Sequence, residues 1–242
     1  ANREGYTRHK PAKPLYSVEE AKKALAFFQV IQPGNWISLF EGVETRYSNS
    51  GHILGSCFIE VRSPRFTIAF TGDLGRSDPL LLHPPAPLAK ADYLVIESTY
   101  GDRIHSPLSP LRELSEIVRD TSDRGGQLII PSFAVGRTQD VLYLLSTLKR
   151  QSQIPEIPIF LDSPMGIDAT EIFHAYPEWH RLNSEEIRGL CKSVIMVQSQ
   201  QQSEEIRRRR EPAIVIAGSG MLSGGRVLSH LMSRLPDERN TV

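Results

Sequence analysis

The sequence predicts an α/β fold in two parts. Short apolar runs of strand length dominate residues 1–124, and from Gly125 onward a strand, a turn and a helix follow one another three times. A hydrophobic fraction of 40% beside a charged fraction of 23% over 242 residues is that of a soluble globular chain, long enough for one large core or two ordinary ones.

The elements follow in order. Ser17-Val18-Glu19-Glu20 is a capping box, in which the serine hydroxyl and the Glu20 carboxylate each satisfy a free amide, so a helix is expected from Val18 to Phe28. Pro33-Gly34-Asn35 ends that pattern, and strands are expected at Trp36 to Phe40, Cys57 to Val61, Phe66 to Thr71 and Tyr93 to Ile96. Pro79 to Pro87 is a proline-rich loop with too few donors to join a sheet. In the second part Leu128-Ile129-Ile130 leads to Ser132 and then a helix with Val141, Leu142, Leu145 and Leu148 on one face. Ile157 to Leu161 leads to Asp162-Ser163-Pro164-Met165 and a short helix. Ala213 to Ala217 leads to Gly218-Ser219-Gly220-Met221 and a helix whose apolar residues are Val227, Leu228, Leu231 and Leu235.

No apolar run reaches the roughly 18 to 20 residues of a membrane span, and Ala1-Asn2-Arg3-Glu4-Gly5 lacks the apolar core of a signal peptide, so a cytoplasmic setting without a membrane is the expectation. Cys57 and Cys191 belong to no CxxC pair and read as buried free thiols. Lysine plus arginine equal aspartate plus glutamate at 28 each, so any polyanion site must be local. The only biased tracts are Gln198 to Gln202, a polar loop or helix face, and Arg207 to Arg210, a solvated helix face or an RNA contact.

Three ligand-type side chains stand at strand ends. Asp73, in Thr71-Gly72-Asp73-Leu74-Gly75, either caps a turn or offers an anionic oxygen to a divalent cation, for which flanking glycines leave room. His52, after Gly51, either holds structure through hydrogen bonds or offers a neutral nitrogen of the kind zinc accepts. Glu97, ending Leu94-Val95-Ile96, either accepts a proton and orients a metal-bound water or pairs with an arginine such as Arg103. A catalytic zinc needs about three protein ligands, and the chain holds no HxHxDH, HExxH or paired CxxC.

In an open α/β sheet, ligands gather at the carboxyl ends of the strands. Ser132, Ser163 and Ser219 therefore either line a phosphate-binding cleft or simply cap helices. Arg226, beside the glycine loop, is the candidate for a bidentate grip on phosphate. Gly218 to Gly225 approaches a dinucleotide fingerprint with one residue too many before the third glycine.

Taken together and in this order, these segments resemble the β-CASP group of the metallo-β-lactamase superfamily, RNA-processing nucleases related to the cleavage and polyadenylation endonuclease and to bacterial ribonuclease J. Gly51-His52-Ile53-Leu54-Gly55-Ser56 is similar to the family's third metal motif, Thr71 to Gly75 to its fourth, and Glu97-Ser98-Thr99-Tyr100-Gly101-Asp102-Arg103 to its acidic motif. Pro131 to Arg137, Leu161 to Met165 and Gly218 to Met221 resemble parts of the inserted β-CASP domain, and Arg8-His9-Lys10-Pro11 with Pro14-Leu15-Tyr16 a segment of the bacterial branch.

The resemblance implies that residues 1–124 are part of a metallo-β-lactamase αββα sandwich and residues 125–242 an α/β β-CASP domain with a largely parallel sheet, incomplete at its C-terminal end. It implies that His52 ligates one zinc, that Asp73 bridges two, that Glu97 supports the site by hydrogen bonding, and that the zinc ions activate water against RNA held between the domains. The expected substrate is single-stranded RNA, and a homodimer is the one assembly entertained. The family's HxHxDH, SFSAH-like and VHGE-like motifs are absent, and His9 and His230 do not occupy them. The chain thus reads as a central fragment, expected to have little or no nuclease activity by itself. Two other readings stay open: a catalytically inactive RNA-binding or scaffolding member, and a nucleotide-binding α/β module built on Gly218.

Overall fold

The computed structural model of the chain describes residues 11, 13–104 and 109–242; Arg8, His9 and Lys10 of the amino-terminal motif lie outside the described residues. Helix α1 (Val18–Leu25) begins at the predicted box, with Ser17 Oγ accepting the Glu20 amide at 3.2 Å and the Glu20 carboxylate accepting the Ser17 amide at 2.7 Å. It ends before Phe28 because the amides of Phe27 and Phe28 reach back only three residues, to Ala24 and Leu25, tightening the last turn.

The first sheet contains β1 (Trp36–Phe40), β2 (Val43–Asn49), β3 (Cys57–Arg62), β4 (Thr67–Phe70) and β5 (Tyr93–Val95), in that order; neighbours are antiparallel except β4 and β5. Strand β2 has no predicted counterpart, since Glu44, Arg46, Ser48 and Asn49 hide its alternation. Its charges are partnered within the sheet. Arg46 grips Glu60 of β3 through two bonds of 2.8 and 2.7 Å, and the Arg46 and Arg62 guanidinium groups lie 4.7 and 3.9 Å from the Trp36 ring centre. Leu39, Phe40, Tyr93, Leu94 and Val95 stay exposed.

The second layer opens with α2 (Pro110–Asp123), also unforeseen, and then alternates β6 (Gln127–Pro131), α3 (Arg137–Arg150), β7 (Ile159–Asp162), α4 (Pro164–Ala175), α5 (Ser184–Lys192), β8 (Ile195–Met196), α6 (Gln200–Arg208), β9 (Ala213–Ala217) and α7 (Arg226–Arg234). All four strands are parallel, in the order β6-β9-β7-β8. The strand period of two sorts their side chains between two cores. Leu128, Ile159, Leu161, Ile214 and Ile216 meet α2 to α5 on one face, while Ile129, Phe160, Val215 and Ala217 meet α6 and α7 on the other. Because both faces are covered, the strands read as continuous apolar runs. The predicted α3 stripe is buried as expected, with Leu142, Leu145 and Leu148 fully so, each worth roughly 1.5–3 kcal/mol of apolar burial.

Helix α7 departs from expectation: Leu228 and Leu235 are exposed, and its buried face is Val227, His230, Leu231 and Arg234. The spacing is helical, but two of the four are polar, so counting apolar residues alone rotated the face. The thiols also differ: both are free, but Cys191 is exposed and Cys57 half-buried. No helix among the described residues is long and apolar enough to cross a membrane.

The proline-rich loop is irregular as predicted, yet it ties the two sheets together. Leu81 is buried and accepts the Arg181 amide at 2.7 Å, and the Arg181 side chain reaches the Pro79 carbonyl at 3.2 Å. The neighbouring His180 stacks on Phe173 at 4.8 Å and is buried, which lowers its basicity.

Candidate metal centre

His52 and Asp73 arrive on different loops of the first sheet, with His52 Nε2 3.8 Å from Asp73 Oδ2. Backbone chemistry brings them there. Ser56 Oγ accepts the amides of His52 and Ile53, both at 3.1 Å, folding the His52 loop on itself. The Gly75 amide donates to the Ser50 carbonyl at 2.8 Å, so the two loops touch. That approach needs glycine: a Cβ on Gly75 would stand 1.9 Å from the Gly51 oxygen.

Glu97 braces the second loop. Its carboxylate accepts the Leu74 amide at 3.0 Å and the Thr99 amide at 3.1 Å, and its own amide donates to Thr71 Oγ1 at 3.2 Å. It does not pair with Arg103, which lies by Asp102. The Leu74 amide first, then the Thr99 hydroxyl and amide, hold the Glu97 carboxyl below its ordinary 4.5, with His52 adding a small attraction. A depressed folded value means the bracing is fully present above about pH 4.5 and is lost as pH falls through the lower folded value. Hydrogen-exchange protection at the Leu74 amide is therefore expected to drop on acidification below about pH 4.5; protection that stays constant there would contradict the bracing role.

The donor pair fits a shared cation, since two ligand atoms each about 2.1 Å from zinc lie at most about 4.2 Å apart. Both side chains are accessible, Asp73 at 75% and His52 at 46%. Among the described residues no group of three or more His, Cys, Asp or Glu side chains is placed to hold a metal ion. His52 and Asp73 by themselves offer two donor atoms, fewer than a catalytic zinc requires.

At the carboxyl edge of the second sheet, Ser132, Ser163 and Ser219 do gather. A Cβ on Gly218 would meet Ser163 Oγ at 3.4 Å and the Ser132 carbonyl at 4.0 Å. Two of the hydroxyls are already used: Ser163 caps α4 through the Gly166 amide at 3.1 Å, and buried Ser132 accepts from Thr138 at 3.2 Å. Ser219 is half-buried, and its hydroxyl has no hydrogen-bond partner among the described residues. The Arg226 fork turns inward, with Nη1 on Asp162 at 2.7 Å and the Val197 carbonyl at 3.0 Å, and Nη2 on the Gln198 carbonyl at 2.8 Å.

Asp162 is the hub that reading the sequence missed. Fully buried at the tip of β7, it accepts Ser203 Oγ at 2.5 Å, Arg226 at 2.7 Å and His230 Nε2 at 2.6 Å. Arg234 donates to His230 Nδ1 at 3.1 Å. Since arginine has no acceptor, this contact uses the Nδ1 lone pair and leaves Nε2 to donate to Asp162, so His230 bridges the two. Burial alone would raise the Asp162 carboxyl, but the bonds from His230, Ser203 and Arg226 overcome it and hold the group ionised, below its usual value. The spacing Arg226, His230, Arg234 along one helix was the available signal.

Residues 138–242 match the Beta-Casp domain model, and with the relatives below this makes the chain a member of the β-CASP group of the metallo-β-lactamase superfamily. Among its relatives, the chain is 35% identical over 239 residues to Ribonuclease TTHA0252 of Thermus thermophilus, covering 95% of this chain and 54% of that protein. It is 33% identical to Transcription termination factor FttA of Pyrococcus horikoshii, covering 95% and 37%, and 29% identical to Endoribonuclease ysh1 of Schizosaccharomyces pombe, covering 92% and 30%. The chain spans about half the length of the first of these relatives and a smaller share of the other two.

Proposed function

We propose that the protein carrying this chain hydrolyses phosphodiester bonds of single-stranded RNA with the help of zinc, and that His52 and Asp73 contribute ligands. The observation that carries this reading is the convergence of those two side chains from separate loops locked at Gly51 and Gly75, in a chain whose relatives include proteins named ribonuclease and endoribonuclease. Zinc, when bound, supplies Lewis acidity toward the scissile phosphate and acidifies water. The chain's own residues do the rest. His52 offers a nitrogen from a loop stiffened by Ser56, Asp73 offers an anionic oxygen, and Glu97 orients the Asp73 loop without touching substrate. Ser219, whose hydroxyl has no partner among the described residues, is the serine left at the sheet's carboxyl edge to donate to a phosphate, while Arg226, Ser132 and Ser163 shape the edge from within.

Zinc content and cleavage of a labelled single-stranded RNA test this reading, on a chain extended to the length of its relatives. Cleavage is expected to vanish with a chelator and return with zinc, and Glu97→Gln is expected to weaken zinc binding roughly 10- to 100-fold, as loss of a residue that orients a ligand does. The 242-residue chain alone is expected to stay at background. Undiminished cleavage by Asp73→Asn would sink the proposal.

A further inference from the structure

Five arginines converge where the strands of the second sheet begin. Arg207, Arg209, Arg210, Arg234 and Arg239 line one cleft together with Asp237. The carboxylates nearby do not balance them. Asp237 is taken by Arg239 at 2.6 Å, while Glu204 and Glu211 approach Arg207 and Arg209 only to 3.5 and 3.6 Å. Among the described residues, neither Arg210 nor Arg234 has a carboxylate within ion-pair distance; Arg234 already donates to Gln127, His230, Ser233 and the Ile206 carbonyl, so Arg207 and Arg210 are the forks that face a ligand with donors to spare. Arg207 Nε is buried and has no hydrogen-bond partner among the described residues.

Like charges packed this closely raise the free energy of the empty cleft, and a buried donor left unmade adds to it. The strain shows at Arg234, whose pKa falls to about 10 through burial first, then through Arg210 and Arg207. An anion with several acceptor oxygens in the cleft would offset the like charges. Guanidinium forks match phosphate oxygens in pairs, and converging forks suit a tetrahedral dianion better than a single planar carboxylate.

We propose that this arginine cleft is a phosphate-binding site, separate from the His52 and Asp73 centre, that takes either a backbone phosphate of an RNA strand or a free phosphate-bearing ligand. It goes beyond the hydrolase reading and does not depend on it, because the two sites lie at opposite ends of the strands. The five-residue β6 alone separates its starting edge from its carboxyl edge by about 13 Å, and the Gly136 loop that approaches Ile53 stands at that carboxyl edge. The cleft also reaches the interior, since Arg234 lines it and donates to His230.

Two probes distinguish the sources, both applied to the 242-residue chain with a chelator present so that bound metal plays no part. Sodium pyrophosphate is titrated by calorimetry, and a fluorescent oligouridylate by anisotropy, against the unaltered chain and an Arg207→Gln/Arg210→Gln double variant. Saturable binding of one probe, weakened at least about tenfold in the double variant, is the expected result. If RNA is the source, the slope of log affinity against log salt should also shrink by about 1.4, or about 0.7 for each single-strand phosphate that the variant no longer neutralises. If a free phosphate ligand is the source, pyrophosphate binding is lost and oligouridylate binding is unchanged. Arg210→Gln alone, at an exposed side chain, serves if the double variant melts early, with about a threefold loss expected as half the double effect on a logarithmic scale. Binding of neither probe, or equal binding by the unaltered chain and the variants, overturns the proposal.

Discussion

Replacing Asp162 by alanine is expected to destabilise the chain by roughly 3 kcal/mol, the low end of what losing one partner of a buried ion pair costs. The carboxylate accepts from Ser203, Arg226 and His230, and its removal leaves each donor facing a cavity. Arg226 is still 20% exposed and keeps two backbone carbonyls, so water and those bonds soften the loss. Ser203→Ala removes a single hydroxyl and should cost about 1 kcal/mol. Urea unfolding of the two variants beside the unaltered chain measures both. The sign of the pH dependence follows from the depressed folded value: Asp162 stabilises fully above its unfolded value of 3.8, and its advantage over alanine shrinks as pH falls through the lower folded value. Equal unfolding midpoints for Asp162→Ala and Ser203→Ala would contradict its place as the hub.

Gly75→Ala is expected to lower RNA cleavage by at least about a hundredfold in a chain that carries the whole metal site, the scale set by misplacing a reacting group by about 1 Å. The new Cβ would stand 1.9 Å from the Gly51 oxygen, where real contacts stay beyond 3.0 Å, so the loops bearing His52 and Asp73 must part. Neither loop has slack. A Cβ on Gly51 would likewise meet the His83 carbonyl at 2.9 Å, and the Asp73 loop is tethered through Leu74 to Glu97. The same crowding should cost about 1–3 kcal/mol of stability. Gly224→Ala is the control, since no atom of the described residues lies within 4 Å of the added carbon. Zinc content and cleavage rate decide the matter, and retention of both by Gly75→Ala would mean that the loops do not need to touch.

What the sequence revealed and what it hid follow from the range of the interactions involved. Trp36–Phe40 and Ala213–Ala217 were legible to the residue, because apolar β-formers bounded by glycine and proline report their own conformation. Strand β2 was not, because Arg46 and Glu44 look like surface residues until Glu60 and Arg62 are placed beside them. Ser132, Ser163 and Ser219 were correctly read as strand-end residues, but which hydroxyls would be used internally depended on Thr138 and Gly166. Arg226 shows the limit most plainly. A guanidinium beside a glycine loop has the same local sequence whether it faces a ligand or a carboxylate, and only the return of β7 put Asp162 within 2.7 Å. The meeting of Gly51 and Gly75 was illegible for the same reason, since each glycine alone promises only a turn.

The order β6-β9-β7-β8 carries a consequence for synthesis on the ribosome. Strand β9 is the last of the four to be made, yet it is the strand against which β6 pairs, Gln127 opposite Ala213. At about 5–20 residues per second, the 86 residues between those positions (213 − 127) take roughly 4–17 s to emerge. Throughout that interval the apolar Leu128-Ile129-Ile130 waits without its neighbour, a window in which chaperone capture or a wrong strand partner competes with folding.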